Sequence, residues 1–389
     1  MNRIVAIDVA RGLVMVIMAL DHVRDLLHTP ALTQDPTDLT TTTPALFLTR
    51  WITHLCAPTF VFLSGTSAYL SLRRRTDAPT PAAARWFLAK RGLVLILLEL
   101  TVINFAFWFD LQFRTIMLQV IYAIGGGLVL LSLLARLPLR WVGLLGLLIV
   151  VSHGLLPALP PTAPPAGQLA WSLLFRPNLL RPTPDFALLI AYPLIPWLGL
   201  MLTGYWAGQL FEQPLDRRKR WLWRLGVAVL TLFVALRFLN GYGDPAPWLT
   251  QKDAVFTALS FLNVSKYPPS LLYDLLMIGS MLLVLAAADG ANNALTRALR
   301  VYGAVPMFYY MLHWYAVHLS LIGMALAQGF SLADLPSGPL NFGRPPGAGV
   351  SLPVVYLVWA ALVLALYPLC RWYGRYKSNH PEIGWLRYV

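Results

Sequence analysis

The chain has 389 residues, of which 58% are hydrophobic and only 12% charged, with a mean hydropathy of +0.62. A soluble domain carries about 25% charged residues, so this composition excludes a soluble enzyme and reads as a polytopic membrane protein. The net charge of +13 asks for no nucleic-acid partner, because an excess of Lys and Arg in cytoplasmic loops accounts for it.

The first stretch, from Arg3 to His28, is apolar enough to enter a bilayer, yet it carries Asp8, Arg11, Asp21, His22, Arg24, Asp25 and His28. Ionisable groups within a span are costly, so they face a bundle interior, a cavity or one another. Arg11 and His22 are eleven residues apart. That is three turns of helix, one shared face and about 16 Å along the axis. Asp8 with Arg11, Asp21 with Arg24, and His22 with Asp25 have the spacing of helical pairs. The run lacks a small-residue cleavage site and reads as a retained helix, not a signal peptide.

Stretches of about 20 apolar residues mark spans. Ten are expected, at 4–27, 51–72, 86–109, 114–135, 141–160, 186–210, 221–240, 268–288, 302–328 and 351–371. The basic clusters Arg73–Arg74–Arg75, Arg85, Lys90–Arg91, Arg136, Arg140, 217–220, Arg297, Arg300 and the tail beyond Arg371 then fall on one side. The other side holds Pro- and Thr-rich loops at 28–50, 161–185, 241–267 and 329–350, with only scattered Arg50, Arg176, Arg181 and Arg344. The expected fold class is therefore all-α: a polytopic helical bundle of about ten transmembrane helices, both termini cytoplasmic, forming one domain over residues 1–389. Cys56 and Cys370 lie near opposite faces in this topology, so no disulfide and no structural zinc are expected. The long first external loop reads either as a flexible connection or as a substrate lid. Gly125-Gly126-Gly127 permits close helix approach or a local break; without a strand before it, it is no phosphate loop.

Several histidines reach a similar depth: His22, His54, His313 and His318. An imidazole can take and return a proton near neutral pH, and one would suffice to deprotonate a hydroxyl or amine attacking a thioester. The plainer reading of each is a hydrogen bond between helices. No metal is expected. His313 and His318 are five apart, about 140° round a helix, which is not ligand spacing. No Gly-x-Ser-x-Gly elbow is present. Glu99, mid-span, reads as a proton carrier or as the partner of a buried cation, with Asn104 close behind it. Asp274 lies early in the eighth span, just after Lys266, which stands where it can attract an anion or anchor at headgroups.

The segments RIVAIDVARGLVMVIMALDH, LTRWITHLCAPTFVFLSGTSAYL, NVSKYPPSLLYDLL, RVYGAVPMFYYMLHWYAVH and LYPLCRWYGRYK together resemble the bacterial membrane proteins grouped with heparan-α-glucosaminide N-acetyltransferase. The resemblance runs from residue 3 to the C-terminal tail. The first segment is also similar to the Arg-x10-His pattern of acyltransferase family 3, which Arg11 and His22 fit. The resemblance implies a transmembrane acyltransferase in the bacterial inner membrane, taking acetyl from cytoplasmic acetyl-CoA (or another acyl-CoA) to a sugar or glycan on the far side. It implies a histidine base. By the family 3 pattern this is His22, with Asp25, Asp21 and Arg11 beside it. By the glucosaminide pattern, which places the active histidine beyond the first helix, it is His28. His22 is preferred, since His28 abuts the long first loop.

In this reading Arg11 guides pantetheine or an oxyanion, and Arg73, Arg74, Arg75, Lys90 and Arg91 hold the CoA phosphates. His54, Glu99, Asn104, His313, His318, Lys266 and Asp274 line the substrate cavity. The expected partners are acyl-CoA, the glycan acceptor and membrane lipids, with room for a homodimer. The competing reading is a transporter or flippase, which a polar path through a bundle suits equally; paired discontinuous helices would favour it. Reporter fusions after Leu72 and after Arg220 are expected to read cytoplasmic, and one near Pro164 external. An external signal at Arg220 overturns this topology.

Overall fold

The computed structural model describes residues 4–74, 80–156 and 164–388. Its first helices are α1 (Val5–Leu27), α2 (Pro44–Thr53), α3 (Cys56–Arg74), α4 (Pro81–Leu98), α5 (Asn104–Trp108), α6 (Val120–Leu134), α7 (Leu139–Ser152) and α8 (Pro165–Leu174). There follow α9 (Leu194–Ala207), α10 (Leu215–Leu239), α11 (Ala254–Leu262), α12 (Leu271–Ala288), α13 (Ala294–Gly303), α14 (Pro306–Ala327) and α15 (Leu352–Asn379). Three short strands, β1 (Thr115–Leu118), β2 (Asn178–Thr183) and β3 (Phe186–Ile190), form one sheet in the order β1-β3-β2.

Helix starts follow from short polar residues. Thr43, Thr80, Asp253, Ser270 and Asn293 each accept a backbone N–H from the turn they precede, satisfying a donor with no partner inside the helix. Pro44, Pro81, Pro165 and Pro306 occupy first turns, where a missing N–H costs nothing.

Five described helical stretches are long and apolar enough to cross a membrane: Pro44–Arg73, Leu215–Leu239, Leu271–Ala288, Pro306–Ala327 and Leu352–Asn379. Their lipid-facing character is visible on α10 and α15, where Phe238, Leu357 and Leu364 are 62%, 69% and 72% exposed. Apolar surface on that scale is not left in water.

The ten expected spans do not each appear as one long helix. The second is broken at His54–Leu55 into α2 and α3. The third passes through a π-turn at Glu99–Ile103. The fourth and sixth open as β1 and β3, so the all-α expectation is corrected by a small sheet. A short apolar run cannot be told apart as strand or helix by periodicity. Pairing decides it here: β3 lies between β1 and β2, and its backbone groups are satisfied from both sides.

α1 is the hub. It packs against α2, α3, α12, α13, α14 and α15. Its C-terminal carbonyls are capped from far along the chain. Arg344 donates to Leu26 O at 3.1 Å, His28 O at 2.7 Å and Thr29 O at 3.1 Å, while Val350 N donates to Leu27 O at 2.8 Å. Three of the four scattered arginines thus have structural partners: Arg344 here, Arg50 on Asp21, and Arg176 on Leu156 O.

α1 and α13 touch backbone to backbone. A Cβ at Gly12 would stand 1.8 Å from Leu299 O, and one at Gly303 1.8 Å from Asp8 O. The triple glycine serves close approach as well, since α6 is unbroken and Gly125 meets Gly92 of α4. Gly12→Ala is expected to force α1 and α13 apart and to cost about 1–3 kcal/mol. It should lower the thermal midpoint in detergent, read by tryptophan fluorescence. Gly323→Ala, with nothing within 4 Å, should leave that midpoint unchanged.

Candidate active site

The C-terminal third of α1 carries the densest polar cluster. Arg24 Nη2 lies 2.8 Å from Asp21 Oδ1 and 2.5 Å from Asp25 Oδ1. Arg50, on α2, binds the other oxygen of Asp21. Asp21 is therefore held by two guanidiniums, one from its own helix and one from a neighbour. Such bridging compensates the desolvation of a buried carboxylate.

His22 points the other way, to α14. Its Nδ1 is 2.6 Å from His313 Nε2, and its ring stacks on Trp314 with centroids 3.8 Å apart. His313 is fully buried, and its Nδ1 lies 3.2 Å from Tyr309 O. A carbonyl only accepts, so His313 Nδ1 carries hydrogen and its Nε2 is bare. His22 Nδ1 must then donate to it, which leaves His22 Nε2 as the free, proton-accepting nitrogen. This assignment follows from the hydrogen-bond chain itself.

The pairing of His22 with Asp25 expected from sequence is corrected. Asp25 bonds Arg24, where a charge-assisted contact is available, and the orienting partner of His22 is His313.

Two cavities meet along α1. The first, about 80 Å³, contains Arg11 and Arg91 among its walls. The second, about 30 Å³, contains Asp21, His22, Gln119 and Lys266. Phe60, Val120 and Tyr310 line both. Arg11 Nη2 donates to Leu63 O at 3.1 Å and Ser67 Oγ at 2.6 Å, which ties it to α3. Arg11 and His22 thus sit in separate, adjoining chambers.

The remaining expected residues divide. Lys266 is buried in the His22 cavity, its Nζ 5.0 Å from the Tyr267 ring centroid and 6.0 Å from that of Tyr192. His28 lines neither cavity; it closes the end of α1, with its carbonyl on Arg344 and its backbone bridged to Val350. Burial, and next the Arg24 and Arg344 guanidiniums, push its imidazole below the usual value.

His54 packs edge-on to Tyr273, whose hydroxyl donates to the His54 carbonyl at 2.8 Å. His318 Nδ1 is 3.1 Å from Phe107 O, and its ring stacks on Phe109. Glu99 has no cation partner among the described residues: its Oε1 accepts Gln119 N at 2.9 Å at the start of α6, and its Oε2 is buried with no hydrogen-bond partner among them. Asn104 clamps β1, accepting Met117 N at 2.7 Å and donating to Met117 O at 3.0 Å. Asp274 is buried, and neither carboxylate oxygen has a hydrogen-bond partner among the described residues. None of His54, Glu99, Asn104, His318 and Asp274 lines either cavity, so the expected lining set reduces to Lys266 and, behind the expected base His22, His313.

The residues expected to hold the CoA phosphates do not share one environment. Arg73 is exposed and pairs with Glu212 at 3.1 Å. Lys90 is exposed over the Trp86 ring. Arg91, one residue on, turns inward because a helix rotates about 100° per residue, and among the described residues of this group it alone lines the Arg11 cavity. Arg75 and the Arg74 side chain lie outside the described residues. A larger cavity of about 230 Å³ is lined by His153, Arg176 and Asp244. Its polar groups are committed elsewhere: His153 to Ile149 O and Pro269 O, and Asp244 to Ser265 and Ser270.

Sequence reasoning missed Trp314, Tyr310, Gln119 and the role of Arg50. Arg50 alone left a signal, as an isolated charge on the uncharged side.

A family model described as heparan-alpha-glucosaminide N-acetyltransferase, catalytic, matches residues 3–237. That range contains Arg11, Asp21, His22, Arg50, Arg91 and Gln119, and ends before Lys266 and His313. No curated protein matches the chain. With more than half of its length matched, and with α1 at the centre of the matched part, the chain belongs to the heparan-alpha-glucosaminide N-acetyltransferase catalytic family.

Proposed function

We propose that this protein is an acyl-CoA-dependent acyltransferase of the bacterial inner membrane. It moves an acyl group, acetyl in the first instance, from cytoplasmic acetyl-CoA to a hydroxyl or amine of a sugar or glycan on the extracytoplasmic side, with residues 1–389 working as one unit and both termini cytoplasmic. One observation carries the reading: a chamber with two arginines adjoins a chamber with an oriented histidine, and Phe60, Val120 and Tyr310 form the wall between them. An anionic donor entering at Arg11 and Arg91 reaches the histidine through that wall.

In this mechanism Arg11 and Arg91 hold the donor, as fixed cations in a low-dielectric site do best. The acceptor comes to His22 from the C-terminal end of α1. His22 Nε2 takes the acceptor proton as the new bond to the acyl carbon forms. The C–S bond then breaks, and the proton passes from His22 to the departing sulfur. His313 keeps Nδ1–H of His22 engaged throughout, so the ring neither flips nor changes tautomer. Asp21, in the same cavity, stabilises the transient imidazolium. Arg24 and Arg50 hold Asp21 in place, and Asp25 binds Arg24 in turn.

His22→Ala is expected to lower acyl transfer by about 10²–10⁴-fold, as loss of a general base does, while acetyl-CoA binding persists in calorimetry. Normal turnover in His22→Ala beside a dead His28→Ala transfers the role to His28. Normal turnover in both removes the proposed base.

Arg91→Gln is expected to raise the CoA dissociation constant about tenfold, the worth of one charge-assisted contact. Arg73→Gln should leave it unchanged, because Arg73 is held outside the cavity by Glu212. The reverse result returns the CoA site to the Arg73 cluster.

A further inference from the structure

Acyl transfer needs a donor for the oxygen that becomes negative as the thioester carbonyl is attacked, and such donors are among the largest contributors to catalysis. The sequence reading offered Arg11. The structure separates Arg11 from His22 by three turns of α1 and ties it to Leu63 O and Ser67 Oγ in the other cavity. The oxygen to be stabilised sits within bonding distance of the attacked carbon, hence in the chamber of His22.

Most polar groups of that chamber are already committed. Asp21 is held by Arg24 and Arg50, which are thereby engaged themselves. Thr53 Oγ1 donates to Arg50 O at 2.7 Å, and Cys56 Sγ faces Val14 O. Tyr192 and Tyr267 pair through their hydroxyls. The Tyr310 hydroxyl is sealed from the cavity. Two donors remain. Lys266 is 8% exposed, and among the described residues no carboxylate comes within ion-pair distance of its ammonium. It lies over the rings of Tyr267 and Tyr192 and gives one N–H to the Tyr267 hydroxyl, which leaves two of its three N–H groups for a substrate oxygen. Gln119 is 9% exposed and lines the chamber, and its hydrogen bonds to the described residues run through its backbone. Its backbone N–H is fixed by Glu99 Oε1 at 2.9 Å, at the start of α6.

We propose that Lys266 and Gln119 form the oxyanion site of the transfer that His22 begins. The inference rests on the acyltransferase reading. The acceptor oxygen or nitrogen bonds to the acyl carbon as His22 Nε2 takes its proton. The carbonyl electron pair moves onto oxygen, where the Lys266 ammonium and the Gln119 amide donate to it. The pair returns as the C–S bond breaks, and the thiolate takes the proton from His22, releasing free thiol. This also accounts for the place of Glu99. It accepts the Gln119 N–H at the start of α6 and so fixes Gln119, which makes it a structural support for the site.

The test uses the purified full chain, acetyl-CoA as donor and D-glucosamine as probe acceptor, with thiol release as one readout. The second readout is the infrared carbonyl band of bound acetyl-CoA labelled with ¹³C at the thioester carbon. Lys266→Met and Gln119→Leu keep side-chain size and remove the donors. Each is expected to lower kcat by about 10²–10³-fold, the loss seen when one oxyanion donor is removed, with acetyl-CoA affinity within twofold of wild type. The carbonyl band, shifted to lower frequency in the wild type, should return towards its free position in each variant.

A kcat within threefold of wild type overturns the proposal, as does a rise in acceptor KM at unchanged kcat, which would make Lys266 an acceptor-binding group. If Lys266→Met fails to fold, Gln119→Leu and the charge-keeping Lys266→Arg read the same two quantities. A wild type that binds acetyl-CoA but releases no thiol sinks the acyltransferase reading, and the band alone then decides Lys266 and Gln119. An unshifted band in the wild type overturns the inference while leaving the transfer reaction standing.

Discussion

Charge brought into an apolar interior must find a partner there, and α1 brings enough of it to dictate its surroundings. Asp21 draws Arg50, and with it α2, to the helix. Arg11 reaches across to α3. The C-terminal carbonyls draw in Arg344 and the strand-like segment at Val350 from more than 300 residues away in sequence. Each contact is modest where water competes. Inside a bundle the alternative is an unpaired polar group, which costs several kcal/mol, so these contacts fix which elements surround α1.

That arrangement has a chemical consequence. Because Asp21 is consumed by two arginines, it does not orient His22. The orienting group is another histidine, anchored in turn by a backbone carbonyl. A neutral partner fixes the tautomer without placing a further charge in the bundle. The aromatic neighbours supply the rest of the definition: Trp314 stacks beneath His22, and Tyr310 closes edge-on against His313. With Tyr309 stacked on its face as well, His313 is held on a face and an edge and has little freedom to leave its hydrogen bond.

The outer residues are arranged for anchoring. Arg237, fully buried on α10, donates to four backbone carbonyls of the 246–263 region. Asp244 gathers Ser265 and Ser270 into the start of α12. Lys266 follows directly on this network, which explains how a loop residue comes to stand at a fixed depth beside His22.

Much was legible from the residues alone. A charged stripe in an apolar helix, with Arg11 and His22 on one face, marks a functional interior whatever surrounds it, because no bilayer tolerates those groups facing lipid. Helix starts, close-packing glycines and the membrane class follow from local chemistry of the same kind. What the sequence by itself could not decide was partnership across the chain. Asp25 is equally spaced for His22 and adjacent to Arg24, and only the turn of the His22 ring towards α14 resolves it. Arg73, Lys90 and Arg91 read as one basic cluster, and only the rotation of α4 against α6 sends Arg91 inward and leaves Lys90 outside, while Arg73 on α3 is drawn to Glu212. The runs at 115–118 and 186–190 are apolar enough for helix, and only their mutual pairing makes them strands. Spacing along one helix constrains which groups share a face; which group of another helix meets that face depends on packing between elements far apart in sequence, and that is decided in the tertiary structure.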